Sequence, residues 1–370
     1  MSNDAPLPPV PPANTGPGAP PPGQPYPSPA PAPPASSGRL KGCLLVAGLL
    51  VLMGSMLVNL VLFAALIGKS EARSTLQAAK PYQEEFVDGD RDADSKILLL
   101  EITGVITNFS DSEITPSMVE IFRRQLRQGV GDDAIKAILI KINSPGGEVM
   151  ASDILYHEIK KAREEKPLMV FMESVAASGG FYAAMGSEFV MANELTLTGS
   201  IGVIVQTLTY EQLGEKIGVK FNTFTSGPNK AMFGGPTQIT PQQAEIIRSI
   251  VEESYGRFVG IVGESRQIDP DELRAKLADG RVLTGEQAKE AGLIDELGYV
   301  EDAYAKAREL GKAKDAQIIR YRPEINFLEL FSIFGEAQAN PTLEVNLLPH
   351  LPRLRPGMPY YLAPHLLLSP

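Results

Sequence analysis

The run AILIKINSPGG, residues 137–147, decides the fold. Its first six residues are apolar except for Lys141, too continuous for a half-exposed strand and too short for a helix. A proline and paired glycines then break the pattern between Asn143 and Gly147, as at the end of a strand. An amphipathic helix near 151–163 follows. A buried strand, a turn and a helix make one step of an α/β sheet covered on both faces. The alternation repeats outward from there. Residues 96–106 (KILLLEITGVI) read as a strand and 117–129 as a helix; 168–172 (LMVFM) form a third strand leading into Ser178-Gly179-Gly180 and a helix of small residues. A strand pair is expected around 189–191 and 201–205, another strand at 220–225 (KFNTFT), and helices over 241–266 and 270–278.

The chain has 370 residues and 39.9 kDa, enough for one domain of about 200–250 residues with appendages. Fifteen of its 31 prolines precede Ser36 and seven lie from Pro341 onward, so the folded body lies between. Residues 1–41 are expected to be a Pro-rich disordered tail, either solvated or docking a proline-binding module. From Gly42 to Gly68 no residue is charged. As a helix this stretch measures about 40 Å, against a hydrocarbon core of about 30 Å. Residues 42–68 are therefore expected to be a retained transmembrane anchor, longer than a signal-peptide core. Arg39 and Lys41 flank one end and Lys69, Arg73 and Lys80 the other, so charge alone does not orient it. Residues 69–94 read as a linker, 95–325 as the folded body and 326–370 as a C-terminal extension.

Composition removes several chemistries. A net charge of −10 without a basic stripe argues against nucleic acid. Cys43 is the only cysteine, which rules out a disulfide framework or a multi-cysteine metal site. His157, His350 and His365 are the only histidines. His157 begins H-E-I-K-K, and Lys161 stands where a zincin needs its second histidine, so His157 reads as a surface helix residue. Neither a dinucleotide fingerprint nor a P-loop occurs, and no cofactor is implied.

Four segments carry nucleophile chemistry or its mimic. Ser178, between an apolar strand and a helix of small residues, is a nucleophile or an ordinary N-cap. Ala176 replaces the first glycine of the G-x-S-x-G elbow. The turn Asn143–Gly147 exposes backbone N–H groups at the sheet edge, as an oxyanion hole or as a plain tight turn. A serine with so few histidines needs another base. A lysine serves when desolvation lowers its usual pKa of about 10.4. Lys230, in TSGPNK (225–230) followed by Ala231, Met232 and Phe233, has no charged neighbours; it is that base or a loop lysine in solvent. Ser200, in TGSIGV (198–203), would aim the amine or simply turn between strands.

Together these segments resemble the signal peptide peptidase SppA family of membrane-anchored serine proteases, in its short single-repeat form. The resemblance spans about residues 95–325 and rests on INSPGG (142–147), ASGGFY (177–182), TGSIGV (198–203), SGPNK (226–230) and LTGEQA…GLIDELG (283–298). It implies a fold like that of the Clp protease and crotonases, with repeated ββα units. It implies Ser178 as nucleophile, Lys230 as general base and Ser200 as the residue orienting that base. Gly147 and Gly179 are the implied oxyanion hole, with Gly146 the alternative to Gly147. Also implied are apolar peptide substrates such as remnant signal peptides, a homo-oligomeric ring whose subunits lend groove walls to each other, and a cytoplasmic N-terminus with the catalytic domain outside. Thr225, Ala231 and Phe181 depart from common family residues. A crotonase-type acyl-CoA enzyme and a catalytically silent scaffold are the rival readings. Residues 341–370 are a loose tail or an extended segment lying in a groove of the protein's own ring.

Overall fold

Strand β2 (Lys96–Thr103) explains why helices cover both sides of the sheet. Successive side chains of a strand point to opposite faces. Ile97 and Leu99 enter one apolar cluster, while Leu98, Leu100 and Ile102 enter another. Residues from Ile97 to Leu100, and Ile102, are buried, so both faces of the strand are covered along most of its length.

The computed structural model describes residues 46–61, 82–110, 116–322 and 359–362. The chain divides into two compact units, Met1–Gln77 and Ala78–Pro370. In the first, residues 46–61 form helix α1. No helix of the described residues is long and apolar enough to cross a membrane. The expected tail over 1–41 and the remainder of the 42–68 anchor lie outside the described residues.

In the second unit one mixed sheet organises the chain. Its strands are β1 (Gln83–Asp88), β2, β3 (Ile135–Ser144), β5 (Leu168–Ala177), β6 (Phe189–Ala192), β7 (Leu197–Gly199), β8 (Val282–Thr284), β9 (Glu296–Leu297) and β10 (Gln317–Arg322). The order is β1-β10-β2-β3-β5-β6-β9, with β7 beside β5 and β8 beside β7. Pairing is parallel except for β1 with β10 and β7 with β8. Helices α2 (Met118–Val130), α3 (Val149–Ala162) and α4 (Gly179–Ala184) pack on the face of Leu98 and Ile140, while α9 (Val300–Leu310) packs on that of Ile97 and Leu139. The expected mixed α/β architecture is present.

A smaller ladder lies apart from this sheet. Strand β4 (Gly146–Glu148) pairs antiparallel with β11 (Tyr360–Leu362), drawn from the far end of the chain. The remaining helices are α5 (Glu211–Lys216), α6 (Pro241–Arg266), α7 (Pro270–Lys276) and α8 (Gly285–Glu290). Thr240 caps α6 through a reciprocal box with Gln243, and Pro241 fills the first turn, where a missing N–H costs nothing.

Three sequence readings need correction. Within the supposed linker 69–94, residues Gln83–Asp88 form β1. Its charges hide the strand pattern and yet serve it: Arg320 and Arg322 of β10 hydrogen-bond Glu85 across the ladder and hold its carboxyl down at about 2. Residues 220–225 are not a strand. Their alternation is strand-like, but Phe221 and Phe224 remain exposed and no described strand pairs with them. Likewise the strand expected at 201–205 reduces to a single bridge at Ile204.

Ile140 lies in the middle of β3 and is 0% exposed. Ile140→Ala is expected to cost about 2–5 kcal/mol of folding stability, read as a lower midpoint in urea unfolding.

Candidate active site

Ser178 stands alone in a turn, since β5 ends at Ala177 and α4 begins at Gly179. Its φ of 52° and ψ of −113° lie where a side chain is strained by about 1–3 kcal/mol. Neighbouring elements impose this conformation. The Ser178 N–H donates to Gly199 O at the end of β7, and the Tyr182 N–H donates to Ser178 O, each at 2.8 Å. Ser178 is 1% exposed, and among the described residues its Oγ has no hydrogen-bond partner. A buried hydroxyl left unpaired costs about 1–3 kcal/mol more. Strain and an unused hydroxyl at a strand-turn-helix junction are the geometry of a nucleophile elbow, reached here with Ala176 instead of glycine.

Beside it, three backbones crowd together. Gly146 has a φ of 100°, and a Cβ there would meet Gly179 N at 2.7 Å and clash with Tyr361 O. A Cβ on Gly179 would lie 3.0 Å from both Gly147 N and Tyr361 O and would clash with Ser152 Oγ. Side chains at these positions would close the cleft. One edge of β4 is tied down: Ile106 N–H donates to Gly146 O at 2.9 Å, and Glu148 N–H donates to Ile106 O at 2.8 Å. The other edge faces β11. Val149 N–H donates to Pro359 O at 3.3 Å, and bonded pairs alternate along an antiparallel ladder. The next bonded pair is then Gly147 with Tyr361, which aims the Gly147 N–H at Tyr361 O. The Gly146 N–H is already given to Ser144 Oγ at 3.1 Å. A peptide carbonyl oxygen thus stands where the backbones of Gly147 and Gly179 converge, next to Ser178.

The opposite edge of β11 is also paired. Tyr360 and Ile204 exchange two backbone hydrogen bonds, at 3.0 and 3.1 Å. The segment is therefore held between two edges, as in β-strand addition. The phenol ring of Tyr361 is 0% exposed. It stacks on Tyr182 with centroids 4.8 Å apart and meets Phe258 of α6 at 4.7 Å. Its OH donates to Ser254 O at 2.8 Å. Tyr182 in turn donates to Asp153 Oδ1 at 2.6 Å, and Arg257 Nη2 reaches the same oxygen at 2.7 Å. Burial pushes both phenols above their ordinary pKa, and the bond to Asp153 raises Tyr182 further. Both rings therefore remain hydrogen-bond donors.

Of the other sequence-derived residues, Ser200 lies near Ser178 because Gly199 accepts the Ser178 N–H. It too has a positive φ, 50°, and is buried. Lys230 lies elsewhere in character: it is exposed, in the irregular segment between α5 and α6. Among the described residues its amine has no bond to Ser178 Oγ. His157 is exposed on α3. Sequence reasoning missed the aromatic pocket. Tyr182 was visible in ASGGFY, but its partners Phe258 and Tyr361 come from distant segments with no motif of their own.

Comparison with known proteins identifies the family. The model of peptidase family S49 matches residues 160–314. A putative signal peptide peptidase SppA from Enterococcus faecium is 36% identical over 234 residues, covering 62% of this chain and 68% of the relative. A putative protease from Synechocystis is 36% identical over 208 residues, covering 56% of this chain and 72% of the relative. The chain belongs to peptidase family S49. It is a serine peptidase. Among solved structures, a mutant ClpP1 from Listeria monocytogenes covers 55% of this chain and 93% of its own at a TM-score of 0.36 and 17% identity, too slight a likeness to argue from.

In this S49 peptidase the carbonyl held beside Ser178 belongs to the chain itself. Residues 359–362 fill the space between the edge of β4 and Ile204, beside Ser178. Tyr361→Ala in the full chain removes the ring that seats the tail. Hydrolysis of an added fluorogenic peptide is expected to rise several-fold; an unchanged rate would mean that the segment does not obstruct the site.

Proposed function

We propose that this chain is a membrane-anchored serine endopeptidase that cleaves extended apolar peptides, such as remnant signal peptides, through a Ser178/Lys230 dyad and an acyl-enzyme. One observation carries the reading. A peptide segment is paired on both edges, with its carbonyl oxygen at Gly147 and Gly179, next to a strained serine whose hydroxyl has no partner among the described residues.

The reaction follows from that arrangement. Ser178 Oγ adds to the peptide carbonyl carbon and gives its proton to the neutral amine of Lys230. The N–H groups of Gly147 and Gly179 take the developing oxyanion. The C–N bond breaks, and the protonated lysine supplies the proton for the leaving amine. Water then attacks the ester, with the lysine again accepting a proton, and Ser178 is released. Ser200 keeps the amine's lone pair directed at Oγ.

Lys230 enters from a neighbouring copy in a homo-oligomeric ring. Three features support this. Among the described residues of its own protomer Ser178 Oγ has no base, and Lys230 is exposed. The segment carrying the lysine also displays Leu208, Leu213, Ile217 and Phe224, the last 94% exposed, an apolar surface suited to a second copy. Assembly would bury these residues while completing the dyad. The repeated ββα units of the Clp protease and crotonase fold are the corresponding reading of the sheet. The uncharged 42–68 stretch supports an anchor, with the N-terminus cytoplasmic and the catalytic unit outside.

Ser178→Ala and Lys230→Ala are each expected to lower peptide hydrolysis at least about a thousandfold, with oligomer size unchanged by light scattering. Mixing the two inactive chains under conditions of subunit exchange should restore part of the activity, since some sites would join an intact serine to an intact lysine. Failure to restore it would place the base in the serine's own chain.

A further inference from the structure

Strand β4 has to be held in place with very few side chains. Gly146 and Gly147 offer none to pack, and a glycine backbone has the most freedom to lose. Glu148 is the one residue of the strand with a side chain, and it is 5% exposed. Its carboxylate reaches the segment that follows β2. Thr107 Oγ1 donates to Glu148 Oε1 at 3.0 Å, and the Asn108 N–H donates to Oε2 at 3.2 Å. These bonds add to the backbone pair that joins Ile106 to β4, Ile106 N–H to Gly146 O and Glu148 N–H to Ile106 O. The stretch 106–108 is fixed in turn. Ser117 Oγ donates to Asn108 Oδ1 at 3.0 Å and accepts the Glu120 N–H at 3.2 Å, in the first turn of α2. A single carboxylate thus braces β4 against the start of α2.

We propose that Glu148 is a positioning residue for the oxyanion hole: its carboxylate fixes the outer edge of β4 so that the Gly147 N–H stays aimed at the reacting carbonyl oxygen. The inference rests on the proposed roles of Ser178 and Gly147 and adds the residue that holds the donor in place. A buried charge is a costly brace, and both of its donors are neutral. What a carboxylate supplies is two acceptor oxygens at once, which no neutral side chain presents. Glu148 also stands at the N-cap of α3, whose dipole end favours a negative charge. The geometry links brace and donor. The Gly147 N–H faces the edge of β4 where Tyr361 stands, and Glu148 ties down the opposite edge of the same strand. A donor already in position costs nothing when charge develops on the oxygen. Between two adjacent glycines, drift would be taken up in backbone torsions, and a displacement of about 1 Å costs on the order of a hundredfold in rate. The carboxylate acts through Gly147.

The test uses the full chain carrying Glu148→Gln, Glu148→Ala or Thr107→Val, with a fluorogenic apolar peptide as substrate. The second probe is a peptide aldehyde of the same sequence. Ser178 Oγ adds to its carbonyl carbon with no leaving group, the serine proton passes to the former carbonyl oxygen, and that oxygen occupies the hole. Glu148→Ala is expected to lower kcat about 30- to 100-fold and to weaken aldehyde inhibition by a similar factor, with KM within about twofold. Glu148→Gln keeps one acceptor oxygen and Thr107→Val removes one donor, so each should lose about three- to tenfold in both quantities. Urea unfolding midpoints are measured for all three, and the two milder variants carry the test where Glu148→Ala does not fold. A change in KM or midpoint alone, with kcat and aldehyde inhibition as in wild type, would overturn the positioning role and leave the proposed nucleophile standing. A loss of kcat without a loss of aldehyde inhibition would overturn it as well. Hydrolysis that survives Ser178→Ala, or a wild-type chain without hydrolysis, would overturn the nucleophile and this inference with it.

Discussion

Ser178 is held in a conformation that a serine does not choose, and the elements around it are arranged to hold it there. Strand β5 is ten residues long, but no single strand accompanies it along one side. Its first half pairs with β6 and its second half with β7. This lets the chain continue past β6 and end against Gly199, whose carbonyl takes the Ser178 N–H. Helix α4 starts at the next residue and takes the Ser178 carbonyl into its first turn. Between those two anchors only a positive φ remains. The strain, the buried hydroxyl and the adjacent N–H of Gly179 are three consequences of one junction.

The crowding of backbone follows from the same junction. Gly146, Gly147 and Gly179 meet because β4 departs from the sheet right after β3, where the Pro145 turn lifts it over the start of α4. Binding Ile106 on one edge leaves the other edge of β4 free to take a further strand. An exposed strand edge invites another strand. Here residues 360–362 take that edge, and the Tyr361 carbonyl is brought beside the backbones of Gly147 and Gly179. Under the proposed function, backbone pairing on both edges is what would favour extended segments.

The sequence made the local parts of this design legible. Continuous apolar runs at 96–102 and 137–142 marked strands buried on both faces, and the core clusters contain those residues. The helical pattern over 241–266 matches α6, which runs from Pro241 to Arg266. Ser178 at the end of a strand, with glycines after it, was visible as a candidate without any coordinates. What depended on distant partners was not visible. Strand β1 pairs antiparallel with β10, more than 200 residues away, and its own composition reads as solvated. KFNTFT alternates like a strand, but alternation specifies a face and not a partner. The pocket needed Tyr182, Phe258 and Tyr361 from three separate segments, and no short-range pattern joins them. The C-terminal segment was legible only as a choice between a loose tail and a strand in a groove; its four described residues take the second form.

Helix α6 connects the parts that would otherwise be independent. Near its start, Gln243 is buried, and its side chain donates to Pro228 O at 2.7 Å, two residues before Lys230. Eleven residues along, the same helix supplies the Ser254 carbonyl, and then Phe258, to the pocket around Tyr361. Toward its end, Phe258, Val259, Ile261, Val262 and Gly263 are buried. One rigid element thus carries a pocket floor for its own groove and steadies the loop that holds the proposed base. If that base serves a neighbouring Ser178, a movement of α6 in one copy alters the seat of Tyr361 at home and proton transfer next door. Pocket and base would be coupled through this helix even though they belong to different active sites.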